Sequence, residues 1–255
     1  MPPAPFSPTA PFPDVRRPDA GTVLLSRWIV PAPEFQRPAA DAVQDEWEAQ
    51  ERPDAMLSLT AFLSLDGTHV LNYAQWRDDD AHREWVRTRR PAAIDRIDRD
   101  LPPIERPGVW RGTVYRSYVA DAASDGGGAP RPGLLVTPTF ATTGPAAQRA
   151  LADAVVETLA RERVPGLLGA HFHLAKDGGS VLNHAEWTGH EAWRAFAAGP
   201  VSRRLAAEIE ALGPDVTPTW GALPPAAPPN GRAEIPRYVP YRAVVNVPAP
   251  GGDLG

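Results

Sequence analysis

Two short stretches of this chain set an amide and an indole at strand spacing. Asn72 and Trp76 close the run Asp66-Gly-Thr-His-Val-Leu-Asn-Tyr-Ala-Gln-Trp76, and Asn183 and Trp187 close Asp177-Gly-Gly-Ser-Val-Leu-Asn-His-Ala-Glu-Trp187. Side chains alternate faces along a strand, so each Asn shares a face with its Trp, the Cα atoms about 13 Å apart at roughly 3.3 Å per residue. A flat aromatic molecule could lie between them, its oxygen on the amide and its ring against the indole. An amide held in a dry pocket stabilises an oxygen as that oxygen gains charge. Asn is depleted in strands and costly to bury unpaired, so its presence at the same place twice needs a reason. The plain alternatives are an Asn that satisfies nearby backbone and a Trp that belongs to the core.

Other side chains join the candidate set. His82, early in a helix, could shuttle a proton near neutral pH; the plain reading is an exposed or capping imidazole. His171 and His173 share a strand face with Glu186 across a hairpin, but no third ligand stands at suitable spacing, so no metal site is expected and a packing or pocket-lining role is preferred. Arg96, like Arg203 and Arg204, could attract a phenolate or simply solvate a helix face. Where one stretch has Tyr73 the other has His184, and where one has His82 the other has Trp193, which points to two unequal sites. The candidate catalytic residues are thus Asn72, Trp76, His82, Asn183 and Trp187, and the candidate substrate contacts Tyr73, His171, His173, His184, Trp193 and Arg96. No phosphate loop, dinucleotide glycine pattern, nucleophile elbow or zinc motif is present.

The elements that must position these residues also come twice. Asp, Gly, Val, Leu, Asn, Ala and Trp recur at a constant offset of 111 residues, the mark of a duplication. In the first copy a strand is expected over 22–30, a helix over 34–51 with Pro38 in its first turn, and a hairpin of 55–65 and 69–77 around Asp66-Gly67. An acid-started helix follows over 78–90, ended or kinked by Pro91, then a strand over 108–120. The second copy gives 133–142, 145–163, 167–175, 180–187, 190–212 (broken at Gly199-Pro200) and 216–223 in the same order, with a wrapping or edge strand over 232–247. Strand, helix, two strands, helix, strand is the ferredoxin-like α+β unit. Val70, Asn72, Ala74 and Trp76 point one way and Leu71, Tyr73 and Gln75 the other; two units can stack the second faces into an intramolecular dimeric α+β barrel. The domains are expected at 21–120 and 133–223. A Pro-rich, mobile arm (1–20), a Gly/Pro linker (121–132) and a Pro-rich extension (224–255) flank them.

Bulk properties narrow the function. With no cysteine there can be no disulfide, thiolate nucleophile or iron–sulfur cluster, and a reducing cytoplasm is the natural home. No apolar run is long enough to span a membrane. A net charge of −5 offers no field for a phosphate backbone, so no nucleic-acid partner is expected.

The run Asp66-Gly-X-X-Val-Leu-Asn72-Tyr-Ala-Gln-Trp76, followed by Ala81-His82-Arg-Glu-Trp85, resembles the antibiotic biosynthesis monooxygenase family. Val181-Leu-Asn183-His-Ala-Glu-Trp187 with Glu191-Ala-Trp-Arg-Ala-Phe196 resembles it equally. The resemblance implies small ferredoxin-like units paired into barrels, leaving room for further homodimer formation. It implies oxidation of an aromatic polyketide of anthrone or hydroquinone type to a quinone, with dioxygen as co-substrate and no cofactor. The Asn would then hold the developing oxyanion and the Trp would shape the pocket. The family's haem-degrading branch pairs Asn and Trp with a His further along the following helix, where this chain has Val86 and Ala197, so haem is disfavoured. The alternatives are a non-catalytic ligand-binding barrel and a polyketide cyclase or isomerase using the same oxyanion donor.

Overall fold

The computed structural model describes residues 13–120, 131–219 and 235–246. The expected arm, linker and extension lie largely outside these residues. Where the arm is described it packs: Val15 is buried, and the Gln75 side chain donates to the Asp14 carbonyl at 2.9 Å. Order therefore begins before Gly21.

The first copy runs β1 (Thr22–Ile29), α1 (Gln36–Ala49), β2 (Met56–Ser64), β3 (His69–Trp76), α2 (Asp79–Thr88), α3 (Arg90–Ile97) and β4 (Val109–Val119). The second runs β5 (Leu134–Val136), β6 (Thr139–Thr142), α4 (Pro145–Glu162), β7 (Leu167–Ala175), β8 (Ser180–Trp187), α5 (His190–Ala198), α6 (Pro200–Ala211) and β9 (Val216–Pro218), and β10 (Arg237–Val245) ends the described chain. The Asp-Gly turns form as their chemistry requires. Gly67 and Gly178 adopt φ +76° and +78°, where a side chain is strained, and Asp66 and Asp177 accept from the amides of Thr68 and Gly179 at 3.0 and 2.9 Å. α2 and α5 end just before Pro91 and Pro200, and each proline stands in the first turn of the helix that follows. Pro138, which has no N–H for a ladder, divides the expected strand 133–142 into β5 and β6.

An amide from each first helix clamps its hairpin. Gln36 donates to the Ser64 and His69 carbonyls at 3.0 and 2.8 Å, and Gln148 to those of Ala175 and Ser180 at 3.0 and 2.8 Å. These matching bonds fix the helix register in both copies.

All pairings are antiparallel, and eight strands close a ring in the order β5, β10, β2, β3, β1, β4, β7, β8 and back to β5. β6 and β9 continue the sheet from β8 beyond the ring. The fold is thus α+β, an intramolecular dimeric α+β barrel with helices outside. Three cores result: one under α1–α3, one under α4–α6, and one inside the barrel.

β10 overturns one expectation. The region 232–247 is read above as a wrapping or edge strand and 216–223 as the second copy's last strand. Instead β9 is only three residues long, and β10 sits inside the ring between β2 and β5. Its pairing with β2 repeats that of β4 with β7 position by position. Tyr238↔Ser64 matches Gly112↔Ala175, Val244↔Leu59 matches Tyr118↔Ala170, and both pairings shift register at the same step, Pro240/Arg242 and Val114/Arg116. β10 is therefore the counterpart of β4, and β9, whose Thr217 pairs with Ala141 as Glu105 pairs with Ile29, that of the segment before β4; an insertion separates the two. Arg116 reaches Asp153 and Glu157 on α4 at 2.6 and 3.3 Å; its counterpart Arg242 reaches Asp41, Asp45 and Glu48 on α1 at 2.9, 2.8 and 3.1 Å. Among the described residues no helix is long and apolar enough to cross a membrane.

Candidate functional site

Each copy has a cavity between its helices and the outer face of its sheet, and the two differ in size and chemistry. The second copy's cavity is about 600 Å³ and is lined by Asn183 and Trp187 of β8, Trp193 and Phe196 of α5, Leu205 and Ile209 of α6, and Leu159 of α4, among others. The first copy's cavity is about 120 Å³, with Asn72, Trp76, His82 and Trp85 on its wall.

Counterpart residues account for the difference. The strand pairings set Trp28 opposite Val70 and Phe140 opposite Val181, so Phe140 takes the place of Trp28. Counted from the clamping glutamines, Leu159 takes the place of Trp47. Phe196 likewise stands for Trp85, counted from the hairpin Trp. Trp47 stacks on Trp85 with centroids 4.7 Å apart at 27° and meets Trp76 edge-on at 6.1 Å, so three indoles fill the first copy. In the second, Trp187 meets Trp193 at 5.5 Å and 69° and Phe196 at 5.0 Å and 43°, which leaves an aromatic wall beside open volume. Aromatic groups in such arrangements favour a further ring stacked or edge-on.

Strand parity places both asparagines as expected. Asn183 is 9% exposed and its Oδ1 has no hydrogen-bond partner, while its backbone N–H donates to Pro138 O at 2.9 Å. The kink at Pro138 thus fixes the strand on which the amide sits. Asn72 is 4% exposed with neither amide atom partnered. Buried carboxamides without partners are costly, and a ligand oxygen or water relieves the cost.

His82 is not exposed, against the plain reading of it. It is buried edge-on to Trp76 at 5.0 Å, with Nδ1 unpaired. Burial, and then the Arg111 charge, lower its pKa to about 4, so it is neutral near pH 7. Trp193 stands in its place in the larger cavity.

Five of the expected substrate contacts lie elsewhere. Tyr73, His171, His173 and His184 point into the barrel, across the sheet from the Asn–Trp face. Tyr73 Oη lies 3.1 Å from His173 Nε2, and its ring 5.1 Å from that of His184. His171 and His184 stand 3.8 and 3.3 Å from Glu186. Burial, then the neighbouring imidazoles, lower His173 well below the usual range; burial lowers His184 as well. Burial opposes the charge on Glu186, but the two rings outweigh it and hold its pKa at about 2. Arg96 is exposed on α3 and forks onto Glu46 at 2.9 and 2.5 Å. Of the expected contacts, only Trp193 lines the large cavity. Missed altogether were Phe140, Leu159 and Phe196, whose signal was available by comparing them with Trp28, Trp47 and Trp85 once the copies were aligned.

No protein-family model matches the chain. In sequence it is 38% identical over 74 residues to tetracenomycin-F1 monooxygenase of Streptomyces glaucescens, a match spanning 28% of this chain and 65% of that protein. In structure it is similar to an anthrone oxidase-like protein (TM-score 0.61, 17% identity, 88% of this chain and 92% of that one). It is also similar to a candidate monooxygenase from Fusobacterium nucleatum (TM-score 0.52, 7% identity, 89% of this chain and 95% of that one). At these identities the structures speak for the fold alone. The chain thus spans a little under two thirds of the length of the monooxygenase it matches in sequence, and shares its barrel fold with these two structures.

Proposed function

We propose that the second copy's cavity oxidises an uncharged, electron-rich polycyclic phenol of the anthrone or hydroquinone type with dioxygen, as one step in making an aromatic polyketide. The observation that carries this reading is the cavity itself: about 600 Å³, walled by Trp187, Trp193 and Phe196, with Asn183, whose Oδ1 has no partner, on its wall. The relative named tetracenomycin-F1 monooxygenase supports the reaction class.

In this mechanism the Asn183 amide holds the substrate oxygen. Loss of a proton from the ring carbon turns that oxygen into an oxyanion, which the amide stabilises in a water-poor site. Glu210, the one ionisable side chain among the cavity's described lining residues, is the candidate proton acceptor. The carbanion passes electrons directly to dioxygen, a carbon–oxygen bond forms, and the hydroperoxide loses water. For an anthrone the balance closes: one CH2 and one O2 give one C=O and one H2O, with no external reductant. The protein needs no cofactor in this scheme, because the substrate is the reductant.

The test is turnover of an anthrone in air, followed by quinone absorbance and oxygen uptake. Asn183→Ala is expected to lower kcat/KM by about 100-fold, the cost of one oxyanion donor, whereas Asn72→Ala should cost less than about twofold. Equal losses in the two variants would sink the assignment to the second copy. Tight substrate binding without oxygen uptake would point to the ligand-binding barrel instead.

A further inference from the structure

The first copy's cavity is too small for a polycyclic ring system, since a dry cavity of about 150 Å³ holds a single benzene ring. Nor is its wall uniformly apolar. Four side chains bordering it hold buried polar atoms without hydrogen-bond partners: both amide atoms of Asn72, Nδ1 of His82, Nε1 of Trp85 and Nε of Arg106. Gathering several such atoms around one small space is expensive unless something polar occupies it.

The charges around it have a sign. Arg106 and Glu46 border the cavity, but each is already neutralised, Arg106 by Asp98 at 2.5 Å and Glu46 by Arg96 at 2.5 Å. Arg90 also borders it and, among the described residues, has no hydrogen bond or ion pair within 4 Å. Burial, then the nearby Arg106 charge, lower its pKa against the opposing pull of Asp98, a carboxylate that Arg106 already holds. Asp79, which acts on His82 from α2, is taken by Arg83 and Arg111, both at 2.8 Å. One cation is left over, beside amide, imidazole and indole groups. Nothing comparable is found among the described residues that line the second copy's cavity, none of which is a cation.

We propose that the first copy's cavity binds a small, singly charged planar oxyanion, a carboxylate the size of acetate or bicarbonate. The Arg90 guanidinium supplies the counter-charge, and Asn72 and Trp85 N–H groups supply donors for the oxygens. Such a fork-and-plane arrangement suits Arg with a carboxylate-shaped group. The exposed backbone at Gly108 and Val109, also on the cavity wall, provides a way in. Four indoles, those of Trp28, Trp47, Trp76 and Trp85, border the site and would report its occupancy.

The experiment titrates sodium acetate and, separately, sodium bicarbonate into the full chain at constant ionic strength, with sodium chloride making up the balance. Tryptophan fluorescence and the thermal midpoint are read together. A saturable fluorescence change and a rising Tm are expected for at least one anion: acetate alone identifies a carboxylate site, bicarbonate alone a carbonate site. Arg90→Gln should weaken binding at least about tenfold, the loss expected for one charge-assisted bond. If that variant does not fold, Asn72→Leu serves in its place. Asn183→Ala should bind as the wild type does, so the result stands or falls apart from the oxygenase reading. A response to both anions no different from chloride, or undiminished saturation in Arg90→Gln and Asn72→Leu, would leave ordered water as the occupant and overturn the proposal.

Discussion

At the scale of single residues, the difference between the two cavities rests on three exchanges, Trp28 for Phe140, Trp47 for Leu159 and Trp85 for Phe196. Leu159→Trp would place in the second copy the indole that fills the first. Its expected effect is a loss of turnover greater than tenfold through KM, with Tm within a few degrees of the parent, because the added ring enters open volume rather than a packed core. Steady-state kinetics beside calorimetry would check this. The buried imidazoles carry a pH prediction. His82, His173 and His184 have lowered folded-state pKa values, so below their ordinary value of 6.5 the unfolded chain binds protons that the folded chain refuses. Stability is therefore full above about pH 6.5 and falls as pH drops toward 4. Glu186 adds its own loss as pH falls from 4.5 toward about 2. Thermal midpoints at pH 7.5, 6 and 5 should decline in step, and less so in His173→Phe, which installs the residue that the first copy holds as Phe62. The alternation that put Asn72 and Trp76 on one face was legible in the sequence. The role of His171 and His173 was not, because which strand face meets a helix and which closes a barrel depends on pairings between distant strands.

At the scale of elements, the hairpins, the Asp-Gly turns and the helix break at Gly199-Pro200 were all legible, since each has a local chemical cause. β10 was not. Arg111, Tyr115, Arg116 and Val119 recur as Arg237, Tyr241, Arg242 and Val245, but the insertion before β10 breaks the constant spacing by which the repeat was found. Position in the chain suggested a tail; hydrogen bonding makes it part of the wall. Arg242→Ala should cost roughly 1–2 kcal/mol, because three carboxylates of α1 share that guanidinium and a network outweighs an isolated surface pair. Arg116→Ala, which loses two carboxylate partners rather than three, should cost less. Urea denaturation of the two variants would rank them.

At the scale of the whole molecule, the seams between the copies are the β4–β7 and β10–β2 pairings, each covering seven matched positions. Neither half can open without breaking both ladders. Unfolding is expected as one transition in both fluorescence and calorimetry. The midpoint should not move over a hundredfold dilution, because closing this barrel is not a second-order event. Two resolved transitions, or a midpoint that follows protein concentration, would contradict that.

Joining the copies also frees the centre of the barrel from symmetry. Across the axis Phe62 meets His184 at 5.9 Å and Tyr73 meets His173 at 5.8 Å, each pair joining a residue to the neighbour of its own counterpart. Two identical chains would have to repeat every such contact, so a mutation at the axis would strike twice at once and any buried imidazole would come in duplicate. In a single polypeptide each side of the axis can drift alone. One half can keep a roomy aromatic chamber while the other fills with indoles, and selection can act on either without disturbing its twin.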